Sequence, residues 1–213
     1  MKDTQSGKKI PTKVRNAEIV KEKRRQIFQA ASELFSEKGY HSTSMRDISE
    51  KSGINLSYLY QFIETKDDIL YLFYMHMHEQ WSDVFSVLAD KKTDEDLIIR
   101  FKRFIETGFG TVKKMESAIR TMYSESRHLS AESLKVILAR ENRLTEELEQ
   151  FIRQGVAAGI FNVPDVNAAA SIVQYLLVIH ALRAWNFKEK DFDRFVEKTT
   201  DFILNGLGVS TKK

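Results

Sequence analysis

The chain has 213 residues, of which 42% are apolar, enough to bury one large core or two smaller ones. It contains no cysteine, which excludes disulfides and every metal or nucleophilic site built on a thiolate. The net charge is +3, but residues 1–25 hold nine Lys or Arg and three acids, so the remainder is mildly acidic. This distribution favours an anionic partner near the N-terminus, the alternative being a solvated tail.

The first predicted elements are a disordered basic arm and an amphipathic helix. Residues 1–16 are polar and charged, a composition typical of disorder. A helix then runs to about Lys38, with an apolar stripe of Ile27, Ala30, Ala31, Leu34 and Phe35. The first 26 residues lack the apolar segment of a secretory signal, and residues 168–182 are too short and too polar for a membrane span. We therefore expect a cytoplasmic protein with no membrane association.

Residues 43–66 predict two short helices joined by a glycine turn and followed directly by a third helix. Ser44 and Asp47 have the spacing of a capping box, Gly53 suits a sharp turn, and Asn55 suits an N-cap. This order is that of a helix-turn-helix, although a helical hairpin inside a core has the same pattern. The outward residues of the second helix favour DNA, because they include no acid and all but Leu56 can hydrogen-bond to phosphates or bases: Leu56, Ser57, Tyr58, Tyr60 and Gln61.

The rest of the chain is also predicted to be helical, which makes the fold all-α. A long helix runs from Lys66 to about Ala89, and the next begins at Thr93 or Asp94 and is loosened or ended by Gly108 and Gly110. Further helices are expected at about 116–129 and 130–158. His76 and His78 are two residues apart and do not share a helix face, so we predict no metal site.

The last two predicted helices, at about 165–187 and 189–207, favour a homodimer. Twelve of the fifteen residues from 168 to 182 are apolar, more than one buried face needs. A second copy of the same helix pair would cover the remaining face in a four-helix interface. Complete burial inside a monomer is the alternative.

The segment 25–70 resembles the DNA-binding head of the TetR (tetracycline-repressor-like) family of bacterial transcription regulators. The matching residues are Ala30-Ala31, Leu34-Phe35, Gly39-Tyr40, Thr43 to Ile48, Gly53, Leu59-Tyr60, Phe62 and Thr65-Lys66-Asp67. The remaining residues resemble the family in plan, and in sequence they are loosely similar to branches that sense fatty acyl-CoA thioesters. The resemblance implies three segments: a basic arm (1–16), a helix-turn-helix domain (17–66) and a ligand-binding and dimerisation domain (67–213).

The resemblance also implies that the protein is a repressor. A homodimer would occupy a palindromic operator in double-stranded DNA, associate with the nucleoid, and leave the operator when a small apolar effector binds. Tyr60 and Lys66 would contact phosphates, as would Thr43, Ser44 and Arg46 nearby. The N-cap Asn55 begins the helix whose Leu56, Ser57, Tyr58 and Gln61 would face the groove. Many relatives have Lys-Gly in place of Leu56-Ser57, so base reading would depend on Tyr58, Gln61 and apolar contacts.

The effector would bind among large apolar side chains of the body, although each of these is also suited to a plain core. The candidates are Phe101, Phe104, Phe109, Met122, Tyr123, Phe151 and Tyr175. The resemblance implies that the effector would be a fatty acyl-CoA or another hydrophobic molecule, as in multidrug-type regulators. Two other classes remain as alternatives: an enzyme, for which the scattered histidines supply no catalytic residues, and a membrane-surface binder. We predict no cofactor.

Overall fold

The computed structural model describes residues 10–89, 96–183 and 191–209. These residues form helices and contain no strand, which confirms the predicted all-α class. None of the helices in these ranges is both long and apolar enough to traverse a bilayer. In chain order the helices are α1 (Ala17–Lys38), α2 (Met45–Ser52), α3 (Leu56–Leu59), α4 (Lys66–Ala89), α5 (Leu97–Lys114), α6 (Glu116–Glu125), a 3₁₀ helix (Ser126–His128), α7 (Ala131–Ala157), α8 (Val166–Leu182) and α9 (Phe192–Gly206).

Helix α5 differs from its prediction, because it continues through both glycines that were expected to loosen or end it. Gly108 is buried, and a Cβ built there would lie 3.2 Å from Leu177 and 3.6 Å from Trp81. The glycine therefore permits α8 and α4 to approach α5 closely. The predicted start at Thr93 or Asp94 lies outside the described residues, and α5 begins after the N-cap Asp96.

Helices α8 and α9 begin with aspartate caps. Asp165 accepts the backbone N–H of Ala168, and Asp191 accepts that of Arg194. The predicted end of α8 near Phe187 and the predicted start of α9 near Glu189 lie outside the described residues.

The chain divides into two compact units, neither of which is continuous in sequence. The first comprises the described parts of Met1–Met77 and Ser117–Ala139, and the second those of His78–Glu116 and Arg140–Lys213. The first unit extends well into α4, as far as Met77. The reason is that α4 completes its core, with Ile69, Leu70 and Phe73 at most 1% exposed. Asp67 also accepts the Ser130 N–H at 2.7 Å.

The core of the first unit is built from α1 to α4. Its central side chains are fully buried: Ile27, Ala31, Ile48, Leu59, Phe62, Ile63, Ile69 and Leu70. Polar side chains of α1 donate to backbone carbonyls at the end of α2 and just after α3. Gln26 Nε2 donates to the Ser52 carbonyl at 2.7 Å, and Arg24 Nε donates to the Phe62 carbonyl at 3.1 Å. These two bonds fix the ends of both helices against α1.

Part of the predicted disordered arm has defined contacts. Residues 1–9 lie outside the described residues, but Ile10 is buried and its carbonyl accepts from Arg24 at 2.7 Å. The Gln61 carbonyl accepts both the Thr12 hydroxyl at 2.9 Å and the Lys13 N–H at 3.1 Å. The arm therefore runs beside the residues that follow α3.

Aromatic rings fill the core of the second unit. Phe101 stacks on Phe151 with ring centroids 5.6 Å apart, and Phe104 and Phe161 also contact Phe101. Gly155 makes room for Phe161, because a Cβ at this position would lie 2.1 Å from that ring. The cluster is closed to solvent, with all four rings at most 3% exposed.

Candidate nucleic-acid interface

The turn between α2 and α3 is formed by local capping. The Asp47 N–H donates to Ser44 Oγ at 3.1 Å, and Asp47 Oδ2 accepts the Ser44 N–H at 2.6 Å, which completes the predicted capping box. Gly53 ends α2 in the left-handed conformation, with φ of 67°. Asn55 then caps α3 by accepting the Ser57 N–H at 2.9 Å. The helix, glycine turn and helix predicted from the sequence are therefore present.

Helix α3 and the turn after it have a buried side and an exposed side. Leu59, Phe62 and Ile63 are fully buried, so this short helix is anchored in the core. Tyr58 is 39% exposed and Tyr60 43%. Ser57 is also exposed, while Leu56 and Gln61 are half-buried. This exposed side has no acidic residue from 55 to 62, as a surface that meets phosphates requires.

Tyr58 is positioned by a contact with the core, and Gln61 by contacts with the N-terminal arm. The Tyr58 ring meets the Phe62 ring edge to face, with centroids 4.9 Å apart. This contact limits the directions in which the Tyr58 hydroxyl can point. The backbone of Gln61 is held through its carbonyl by Thr12 and Lys13, so its side chain starts from a fixed point.

The predicted phosphate-contacting residues differ in their surroundings. Arg46 and Ser44 are exposed at the N-terminal end of α2. Thr43 is 2% exposed, and its hydroxyl donates to the Gly39 carbonyl at 2.9 Å, so it closes the turn after α1. Lys66 is half-buried, and its ammonium donates to the Tyr40 carbonyl.

Electrostatics at this end of the first unit involve two lysines. Lys38 pairs with Asp47 at 2.9 Å, and this pair together with the Ser44 N–H holds the pKa of Asp47 below its ordinary value. Burial lowers the pKa of Lys66, against the opposing effect of Glu125 and Asp47.

The seven predicted effector residues lie in several places. Phe101, Phe104 and Phe151 come together in the closed aromatic cluster of the second unit. Phe109 lies apart from them, 5.5 Å from the Phe195 ring, while Tyr175 is 53% exposed on α8.

Met122 and Tyr123 belong to the first unit. Met122 is buried and its carbonyl accepts the Tyr74 hydroxyl at 3.2 Å, whereas Tyr123 is 49% exposed. A groove between α5 and α9 contains none of the seven predicted residues and is lined by Lys102, Glu106, Gly110, Phe192, Asp193, Val196, Glu197, Thr200 and Asp201.

One cluster of side chains that could ligate a metal ion was not predicted from the sequence. His41, Glu125 and His128 bring their ligand atoms within 4.8 Å of one another. His41 is 84 positions from Glu125 in sequence, so spacing alone could not join them. The available signal was the Glu-x-x-His spacing of Glu125 and His128, which suits metal ligation from one helical turn.

Comparisons with known proteins agree with this geometry. Residues 27–71 match the family model described as bacterial regulatory proteins, tetR family, and residues 94–185 match that of the tetracyclin repressor-like C-terminal domain. The chain is 25% identical over 209 residues to the HTH-type transcriptional regulator HbdR of Aromatoleum sp. (strain CIB), covering 96% of this chain and 86% of HbdR.

A second relative and a solved structure extend the comparison. The HTH-type transcriptional activator FasR of Mycolicibacterium smegmatis is 25% identical over 190 residues, which cover 87% of this chain and 83% of FasR. The crystal structure of AibR, in complex with isovaleryl coenzyme A and operator DNA, has a TM-score of 0.70 with 19% identity. The match covers 87% of this chain and 97% of AibR. At that identity the similarity to AibR concerns the fold.

Proposed function

Because the chain belongs to the TetR family of bacterial regulatory proteins, we propose that it occupies a palindromic operator as a homodimer and represses transcription until a small, largely apolar effector binds. The family consists of DNA-binding transcriptional regulators and not of enzymes, and its members act as dimers with small-molecule effectors. Beyond these family properties, we propose three things for this chain: the symmetry of its operator, the direction of its regulation and the class of its effector.

The main support for operator binding is the exposed side of α3. Tyr58 and Gln61 can hydrogen-bond to base edges, while Leu56 can contact a thymine methyl group. Tyr60 and Arg46 can bind phosphates on either side. Two copies of α3 about 34 Å apart would enter successive turns of the major groove, which requires a palindromic site.

Exposed apolar residues on α8 and α9 support the homodimer. Ile172 is 57% exposed, Tyr175 53% and Phe202 65%, all within the second unit. Large apolar side chains exposed on the same two helices are costly in a monomer and favour burial against a second copy. This pairing would join two chains through their α8 and α9 helices.

An acyl-CoA thioester is the effector class that we propose. AibR, which has a similar fold, was solved with isovaleryl coenzyme A. The loose resemblance of the body to acyl-CoA-sensing branches, described from the sequence, supports the same class of effector. In this chain the Arg100 guanidinium lies 5.5 Å from the centre of the Phe151 ring. A cation beside the aromatic cluster would suit a ligand with an apolar acyl chain and a phosphorylated head. Opening of this closed cluster would then accompany binding.

The DNA-binding part is tested by fluorescence anisotropy with labelled DNA from the region that flanks the gene. Tyr58→Ala should weaken binding to the preferred site by about 1 to 3 kcal/mol, roughly 5- to 150-fold, and reduce its preference over a base-substituted site. Tyr123→Ala, which removes another exposed tyrosine from α6, should bind DNA in the absence of effector as the wild type does. A uniform loss on both DNA sites would instead assign Tyr58 to the phosphate backbone.

The effector is tested on the same complex. Isovaleryl-CoA or a long-chain acyl-CoA should release the DNA, while free coenzyme A at the same concentration should not. Release by hydrophobic amines or dyes and not by acyl-CoAs would support a multidrug-type effector instead. Transcription in vitro from the bound promoter decides the direction, since a higher transcript level after protein addition would contradict repression.

A further inference from the structure

Three metal-ligating side chains meet on one side of the first unit. His41 lies in the turn between α1 and α2, Glu125 ends α6, and His128 ends the 3₁₀ helix that follows. The Nε2 atoms of His41 and His128 lie 3.5 and 3.7 Å from Glu125 Oε2. The two imidazole rings are nearly perpendicular, with centroids 4.5 Å apart. The three donors thus face a common point from two separate parts of the chain.

The spacing of these donors fits a tetrahedral metal ion. With metal–ligand distances of about 2.0 to 2.2 Å, two tetrahedral ligands lie about 3.4 Å from each other. The observed separations of 3.5 and 3.7 Å need only a small contraction. Two imidazoles and a carboxylate suit zinc and similar transition ions, whereas magnesium prefers an all-oxygen octahedral site.

Glu125 gives a second reason to place a cation here. Its Oε2 atom is buried and has no hydrogen-bond partner among the described residues, while its other oxygen accepts the Ser124 hydroxyl at 3.0 Å. A buried carboxylate oxygen without a partner is costly, and a cation at the common point would satisfy it. Arg127 Nε donates to His128 Nε2 at 3.1 Å, so Arg127 would have to move aside when His128 binds an ion.

The surroundings hold both histidines in place. The Tyr40 ring stacks on His128 at 5.7 Å and meets His41 edge to face at 5.6 Å. Tyr40 is in turn held by Lys66, which donates to its carbonyl. The donors are thereby preorganised by neighbouring packing, which lowers the cost of assembling a site.

We propose that His41, Glu125 and His128 bind a divalent transition metal ion of the zinc class, with water as the fourth ligand. The ion joins the turn before α2 to the end of α6. His41 lies three residues before Ser44, the N-cap of α2, so an occupied site would restrain the start of the helix-turn-helix. The ion is a different ligand from the effector, and its binding does not depend on DNA.

The first test is calorimetric titration of untagged, chelator-treated full-length protein with Zn²⁺ at neutral pH. We expect one ion per chain, and no heat with Mg²⁺. Removing a group that only hydrogen-bonds to a metal ligand typically changes metal affinity 10- to 100-fold. His41→Ala and His128→Ala each remove a ligand itself, so each should weaken binding by at least about 10-fold. His78→Ala, which removes a histidine of the second unit, should leave binding unchanged.

A second readout makes the test independent of any folding defect. Co²⁺ in the same protein should give the visible absorption of a tetrahedral ion, and His41→Gln should abolish it. His41 is 61% exposed, so this variant keeps the fold, which circular dichroism would verify. Zn²⁺ should also raise the Tm of the wild type but not that of His41→Gln. Equal Zn²⁺ binding by wild type, His41→Gln and His128→Ala, or none by the wild type, would overturn the proposal.

Discussion

The ammonium of Lys66 donates a hydrogen bond to the carbonyl of Tyr40 and lies 4.0 Å from the centre of the Tyr40 ring. The first residue of α4 is thereby tied to the turn that follows α1. The resemblance assigned Lys66 to a DNA phosphate. Both roles are compatible, because an ammonium has three donors and only one is used on the carbonyl.

Lys66→Ala should therefore have two separable effects. Loss of a half-exposed, charge-assisted hydrogen bond should lower the free energy of unfolding by about 1 kcal/mol, which corresponds to a Tm lower by about 2 to 4 °C. Loss of a phosphate contact should lower the slope of log affinity against log salt by about one. Lys51→Ala is the stability control, since Lys51 pairs only with exposed Glu33 and Glu37 among the described residues. A lower Tm with an unchanged slope would restrict Lys66 to its internal role.

The Asp47 carboxylate should make the stability of the first unit depend on pH in the acid range. Its pKa is lower in the folded protein than in the unfolded chain, so its contribution is fully present above about pH 4 and is lost as the pH falls further. Asp47→Asn should be less stable than the wild type at pH 7, and this difference should shrink below about pH 4. Thermal unfolding at several pH values measures it. Glu50→Gln removes an exposed acid from the same helix and should keep the wild-type Tm at pH 7.

Two helical glycines should respond oppositely to alanine. A methyl group at Gly155 would overlap the Phe161 ring, so Gly155→Ala should destabilise the protein by about 1 to 3 kcal/mol. Gly110 lies in α5 with no atom within 4 Å of a built Cβ, so Gly110→Ala should stabilise it by about 0.5 to 1 kcal/mol. Chemical denaturation gives both values. A neutral Gly155→Ala would mean that Phe161 can leave its place without cost.

Charge on the exposed faces of α8 and α9 should dissociate the proposed dimer. Phe202→Asp and Ile172→Asp would place a carboxylate in an apolar interface, which costs several kcal/mol. Sedimentation velocity at micromolar concentration should then give a monomer. Ile99→Asp, at an equally exposed apolar position on α5, should remain a dimer. Dimers in all three variants would exclude this helix pair as the interface.

The sequence predicted well what depends on neighbouring residues. The caps Ser44 and Asn55 and the turn glycine Gly53 act over two to three residues, so their patterns identify helix ends directly.

Features that depend on distant partners could not be predicted. Gly108 was interpreted as a helix breaker because its partner Leu177 is 69 positions away, and the close approach of two helices leaves no local pattern. His41 and Glu125 meet only because α6 packs in the first unit, which sequence spacing does not reveal. The sequence does not distinguish a large apolar residue that lies in a closed cluster, as Phe101 does, from one that is exposed, as Tyr175 is.

Helix α3 is held by Leu59 and the residues just after it, while its outward side chains take little part in the core. Mutational tolerance should therefore be high at Ser57 and Gln61 and low at Leu59 and Phe62. A regulator with this arrangement can acquire a new target sequence through single substitutions, each intermediate remaining folded. The same property makes the head a convenient scaffold for selecting variants of altered specificity from a library randomised at the outward positions alone.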